Sequence, residues 1–485
     1  MGYLVTVLIA VVIFYAVLSV TDYFKAVPDE YLRHQSFQEP TRLPHESPIY
    51  KSSKNATLRV GLDIRYDHYK IRSGNLNDVW TILMDHVSRN SEAGSTENLI
   101  EKSISVNGVK VKYTYINHCI SEWKKKKQEM QKEKEKEKNT DTVRLVESFN
   151  IPIEYEVDSK WVIVVLIGFV TQTQVHFYEK RCKKPANGLD ISEMSFDEES
   201  GEDELVFENK YIPEKDKGIA LKYSKQIRPG IVTQVEYTQL NIISAVASTI
   251  KHLPPAFDLL RKSMAIVSYP DFINVSNLIV KLLAGFVSNM NIEILHASSV
   301  GIETKIGSEV EILSIPEQLV NRYNFLHSSS ISNKLNWQLL SQGIFKSKRL
   351  IYIQSSLESP QLTSKQRNQL AVAMKSRVIH EYGVFNILGP VVLTDYYEYR
   401  MFGASFGGVA QSLEIKLVNV DRLMAGSLMV RGYTIGKSAH FVNDKEATLQ
   451  EEAVSNQFTK KSDGFMPLPL NIRGKWGTDG CLYIL

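Results

Sequence analysis

Residues 377–395 read RVIHEYGVFNILGPVVLTD, and this stretch decides the fold. Val378 and Ile379 begin a short apolar strand, and Tyr382-Gly383 reads as a tight turn. An apolar run then ends at Gly389-Pro390, and Val391, Val392 and Leu393 form a second short strand. A strand that runs into a glycine-containing loop is where an α/β sheet presents ligand-binding groups, at the carboxyl ends of its strands. The neighbouring segments agree with this reading. Residues 348–355, KRLIYIQS, read as another strand, and 265–295 as strand, helix and strand, with Val280 to Phe286 an apolar helical stripe.

With 485 residues and 43% apolar composition, the chain can bury a large core. A net charge of +3 gives no strong basic field, so nucleic acid is not expected as a partner. Cys119, Cys182 and Cys481 are scattered without a CxxC or Cys/His cluster. Neither a zinc site nor a disulfide framework follows, and a reducing compartment is expected.

From Gly2 to Val20 the chain carries no charge, about the length of a bilayer span. No basic n-region or small-residue cleavage site accompanies it, so residues 1–21 are expected to be an uncleaved transmembrane anchor rather than a signal peptide. The formal myristoylation match at MGYLVT is discounted by the bulky Tyr3. Residues 22–57, with Pro28, Pro40, Pro44 and Pro48, read as a tether, and a folded body as 58–485. Sequons at Asn55 and Asn274 matter only if that body is luminal.

Two charged segments interrupt the body. Residues 124–138 read KKKKQEMQKEKEKEK, helix-favouring but without an apolar face, so either a solvated helix or disorder is expected. Its four lysines are also a candidate patch for anionic lipid heads, a field that the glutamates largely cancel. Residues 192–205, SEMSFDEESGEDEL, read as an acidic surface insertion. Ile104 to Ile116 alternates like a hairpin turning at Asn107-Gly108, and Trp161 to Val170 is too short to span a bilayer and reads as a buried helix.

Taken in order, these pieces resemble the adenylate-forming superfamily of acyl-CoA synthetases, luciferases and adenylation domains. The resemblance runs from Leu58 to Leu485. Residues 381–386, EYGVFN, resemble its YGxTE loop. Residues 218–244 resemble its phosphate loop and following helix. Residues 425–437, AGSLMVRGYTIGK, resemble GELLVRGPxVxxGY, and 462–485 resemble its DGWFxTGDIG segment. The resemblance is closest to fungal long-chain fatty acid–CoA ligases, through the N-terminal anchor and GPVVLTD. It implies the large α/β domain of that fold: two packed sheets with helices and a distorted barrel, here preceded by one transmembrane helix.

The same resemblance marks what has changed. It implies that Tyr382 and Gly383 retain the adenine side of the loop, while Phe385 and Asn386 stand where Thr and the metal-binding Glu belong. At the ribose position the register leaves Asn471 and Ile472 as candidates, and neither is a carboxylate. The phosphate loop offers Gly230 alone, with Ser224, Lys225 and Arg228 as candidate phosphate contacts. The family's small C-terminal domain, which carries a catalytic lysine, is not found before Leu485. The first expectation is therefore a membrane-anchored, non-catalytic protein with no catalytic residues, metal site or cofactor. It would be a lipid-binding or scaffold subunit at the endoplasmic reticulum, its body cytosolic, with a fatty-acyl ligand and a protein partner. The alternative is an active ligase using ATP, magnesium and CoA; a third reading is a structural subunit with a plugged pocket.

Overall fold

The computed structural model describes residues 2–39, 43–54, 57–65, 71–92, 102–136, 146–182, 188–196, 218–255, 257–298, 310–322, 331–344, 347, 349–360, 362–400, 405–442, 445–446, 463–468 and 472–485. Among them, strands collect into a 16-stranded sheet, a 7-stranded sheet and a two-stranded ribbon. The larger sheet has a parallel half. Its strands lie in the order Arg377–Gly383, Leu350–Ser356, Ile312–Pro316, Ser263–Ser268, Asn291–His296 and Ser103–Val106. The strand Val392–Leu393 pairs antiparallel with Arg377–Gly383 and starts an antiparallel half that reaches Ser36–Glu39. The expected barrel is this antiparallel half. Among the described residues its strands follow a path continuous with the parallel sheet, from which Met466–Pro467 branches to pair with Ala425–Gly432.

Four helices fill the space between the two large sheets: Leu76–Glu92, Ser159–Thr171, Gln239–Lys251 and Phe272–Val287. This placement explains the apolar run. Every residue from Trp161 to Val170 is buried, because a helix covered on all sides needs no polar face. Burial of each large apolar side chain there is worth about 1.5–3 kcal/mol. Local chemistry fixes the helix ends. The Asp158 carboxylate accepts from Trp161 N at 2.7 Å, and Thr238 with Asn241 forms a capping box. Helices Glu317–Arg322, Ile331–Ser341 and Ser364–Ala373 belong to a second core on the other face of the parallel sheet.

Several expectations change on inspection. The 104–116 hairpin is shorter than its alternation suggests: Ser103–Val106 pairs with Val109–Lys112, and Asn107 and Gly108 take positive φ. Helix begins at Tyr113 and runs unbroken to Lys136, so residues 124–136 of the lysine-rich segment are helical. Lys127 Nζ donates to the carbonyls of Thr171 and Gln172, at the end of the buried helix. A cation there meets the carbonyls of the last helical turn and the negative end of the helix dipole. Most of the acidic segment, residues 197–205, lies outside the described residues.

Gly2–Phe24 is a single helix whose described apolar side chains, among them Leu8, Val12 and Ile13, are exposed. Ala26 N donates to Gly343 O at 3.1 Å, which seats the start of the tether on the body. Among the described residues no helix is long and apolar enough to cross a membrane. The transmembrane part of the expectation for residues 1–21 therefore has no support from them.

Candidate functional site

The parallel strands end at one side of their sheet, and a cleft of about 340 Å³ opens there. Its walls come from the turns after three strands: Tyr269 to Asn274, Gln318, and Gln354 to Ser359. Phe385 follows the strand Arg377–Gly383, and Lys225 and Glu179 enter from the smaller sheet. This is the location at which an open α/β sheet binds its ligands.

The segment expected to be a phosphate loop is a β-hairpin. Ile219–Arg228 pairs with Ile231–Thr238 around Gly230, whose φ is +77°. Side chains with Cβ atoms favour the extended ladder over a loop of exposed N–H groups. Strand alternation then separates the three candidate phosphate contacts. Lys225 lines the cleft, its Nζ 5.5 Å from the centre of the Phe385 ring. Ser224 is buried and hydrogen-bonds His176 Nε2 at 2.7 Å. Arg228 is exposed near the hairpin tip, outside the cleft lining.

Tyr382 and Gly383 belong to the strand Arg377–Gly383, which is buried along its whole length, rather than to a turn. The Tyr382 ring is 4% exposed, packs 4.5 Å from Phe406, and its hydroxyl meets His380 Nδ1 at 2.8 Å. Desolvation raises the pKa of that hydroxyl above its ordinary value. His380 Nε2 in turn bonds Ser355 Oγ. Burial, with the nearby Arg367 guanidinium, lowers the His380 pKa to about 3, so the ring is neutral. The ring expected to stack a flat ligand is thus part of a buried Ser355–His380–Tyr382 network.

Asn386 is also buried. Its carbonyl accepts from Gly436 N at 2.9 Å, and its Oδ1 has no partner among the described residues. Asn471 lies outside the described residues; its neighbour Ile472 is buried and accepts from Leu428 N at 3.0 Å. Of the residues singled out from the sequence for the nucleotide site, Lys225 and Phe385 are among those lining the cleft. Among the cleft residues that sequence reasoning missed are Glu179, Asp271, Asn274 and Gln318. One of them carried a local signal. Asp271 caps the helix Phe272–Val287, accepting from Ile273 N and Asn274 N, but a cap says nothing of a cleft.

A magnesium–nucleotide group does not fit these residues. Glu179, Asp271 and Glu358 face a single ammonium, Lys225, so the lining is net negative where a polyanion would sit. No glycine-rich cradle stands at the hairpin, and Tyr382 offers no open ring face. Among the described residues no group of three or more His, Cys, Asp or Glu is placed to hold a metal ion.

In fold, this architecture is similar to solved acyl-CoA synthetases and to a luciferase-like enzyme. The chain is similar to apo MatB from Rhodopseudomonas palustris, with a TM-score of 0.57 and 12% identity over 85% of this chain and 78% of that one. A luciferase-like enzyme from the nonluminescent mealworm Zophobas morio matches at TM-score 0.54 and 13% identity, over 89% of this chain and 98% of that one. O-succinylbenzoate coenzyme A synthetase, MenE, from Bacillus subtilis matches at 0.53 and 13%, over 83% of this chain and 78% of that one. At such identities the likeness is one of fold. No family model matches the sequence. Among curated proteins, an uncharacterized Saccharomyces cerevisiae protein, YHR045W, is 25% identical over 301 residues. That match spans about half of each chain, 51% of this one and 52% of the yeast protein.

Proposed function

We propose that this protein is a non-catalytic, acyl-CoA-synthetase-like protein of lipid metabolism, held at the endoplasmic reticulum membrane by its N-terminal helix. It acts there as a lipid-binding or scaffold subunit, with its body in the cytosol, a fatty-acyl ligand and a protein partner. The observation that carries the non-catalytic reading is Tyr382. A ring that is 4% exposed and hydrogen-bonded to a buried histidine is core, not a platform for adenine.

Purified protein given ATP, magnesium and long-chain fatty acids is expected to release no fatty-acid-dependent pyrophosphate above background. Removing one transition-state donor costs about a hundredfold or more in rate, and here several groups differ together. Formation of acyl-AMP or acyl-CoA would overturn the reading. The alternative, an active ATP-dependent long-chain fatty acid–CoA ligase, draws on one observation, the Lys225 ammonium in the cleft. Under it, activity would be present and Lys225→Ala with Arg228→Ala would abolish it.

The membrane assignment rests on the uncharged run from Gly2 to Val20 and on the exposed apolar side chains of its helix. A chain lacking residues 1–24 is expected to move from the membrane pellet to the soluble fraction. Full retention in the pellet after carbonate washing, or endoglycosidase-sensitive sugar at Asn274, would count against the anchor or the orientation respectively.

A further inference from the structure

The cleft lining holds three carboxylates and two buried amide oxygens. Asp271, at its centre, spends one carboxylate oxygen on Ile273 N and Asn274 N and the other on Asn274 Nδ2. That last contact fixes the Asn274 amide, since its NH₂ must face Asp271. The opposite atom, Oδ1, is left as an acceptor without a partner among the described residues, although Asn274 is only 4% exposed. Gln318 Oε1 is likewise a buried atom with no partner among the described residues. A buried acceptor left unmade costs about 1–3 kcal/mol, which a donor from a ligand recovers.

Charge points the same way. Glu358 stands at the rim and Glu179 on the facing sheet; burial pushes the Asp271 and Glu358 carboxyls up from their ordinary values, and the Lys225 ammonium works against that on both. One ammonium against three carboxylates leaves the lining net negative. The apolar part of the wall is aromatic. Phe272 and Phe385 meet edge to face with ring centres 5.0 Å apart, and Tyr269 joins them. Ring faces attract cations, and Lys225 already uses the Phe385 ring in this way.

We infer that this cleft binds an organic ammonium ion, a ligand that brings several N–H donors, a positive charge and an apolar group. The donors meet Asn274 Oδ1 and Gln318 Oε1, the charge answers the carboxylates, and the apolar group lies on Phe272 and Phe385. Lys225 competes for the same carboxylates, so it sets the affinity instead of contributing to it. The inference rests on the non-catalytic reading in one respect, that no nucleotide holds this cleft.

Isothermal titration of the full-length protein with 2-phenylethylammonium, with its uncharged counterpart 2-phenylethanol, and with inorganic pyrophosphate tests it. The ammonium is expected to bind, the alcohol about tenfold more weakly or worse, and pyrophosphate not measurably. Glu358→Gln and Glu179→Gln, which keep side-chain shape, should each weaken the ammonium by up to about fivefold. Lys225→Met should tighten it by a similar factor. Thermal unfolding of each variant checks that the fold is retained. Equal binding of the alcohol, weaker ammonium binding in Lys225→Met, or tight pyrophosphate binding overturns the inference. Pyrophosphate release from ATP separates the two claims. No ammonium binding and no release overturns this inference alone, whereas ammonium binding with acyl-AMP formation overturns the non-catalytic reading alone.

Discussion

Glu381→Ala is expected to destabilise the protein by about 3–5 kcal/mol, the usual cost of stripping one partner from a buried ion pair. Lys281 Nζ donates to Glu381 Oε1 at 2.7 Å, with the two side chains 2% and 4% exposed. The ammonium also lies 3.3 Å from the centre of the Tyr352 ring. Burial lowers the Lys281 pKa below its ordinary value even with Glu381 beside it. Without Glu381 a charge would remain in the core, or a lysine would have to fold neutral. A double change to similar-sized apolar residues, Lys281→Met with Glu381→Leu, removes both charges and should recover most of the loss. Urea unfolding midpoints of the two variants and the parent measure this. A single variant within about 1 kcal/mol of the parent would mean that the pair is not buried as described.

Acidification should be the second large effect. Three histidines are buried and held neutral. Desolvation, then Arg367, brings His380 to about 3, and desolvation, then Lys222, brings His176 to about 4. His252 lies well below its ordinary value through desolvation and then Lys54. The ordinary value is 6.5. Above it both the folded and unfolded chains are neutral at these rings, and nothing is lost. Below it the unfolded chain binds protons that the folded chain does not, so stability falls as pH falls toward about 4 and then 3.

At pH about 4.5 the His380 and His176 rings have each cost roughly 2–3 kcal/mol, about 5 kcal/mol together, and His252 acts in the same direction. Typical net stabilities are about 5–15 kcal/mol, so unfolding near that pH is expected. Stability measured from pH 7 to 5 should fall with a slope approaching three protons. His176→Asn and His380→Asn should each reduce that slope by about one proton, whatever they do to stability at pH 7. A flat profile between pH 7 and 5 would show that these rings are solvated in the folded protein.

These rings bear on the site as well. His380 ties Tyr382 to Ser355, and His176 ties down Ser224, so both histidines hold in the core residues that the sequence suggested for ligand binding. Acid and the loss of that arrangement are coupled. The network borders the ammonium-binding cleft, since Ser355 also lines it beside Lys225 and Phe385.

The sequence by itself determined the elements and their order. The buried helix at Trp161 to Val170, the Asn107-Gly108 turn, the helix through Val280 to Phe286 and the strand of 350–356 all depend on periodicity and caps that act within a few residues. What the sequence did not determine was which side chains share a space. The strand Arg377–Gly383 is buried on both faces, so its apolar pattern has no alternation that separates a ligand-facing ring from a core ring. In the hairpin, one residue of register decides that Lys225 meets the cleft and Ser224 meets His176. The cleft itself is assembled from segments around positions 179, 225, 271, 318, 358 and 385. Its charge and its unpartnered acceptors arise where those segments meet, and contacts between residues so distant in the chain are decided by how the two sheets pack across their helices, not by any local pattern.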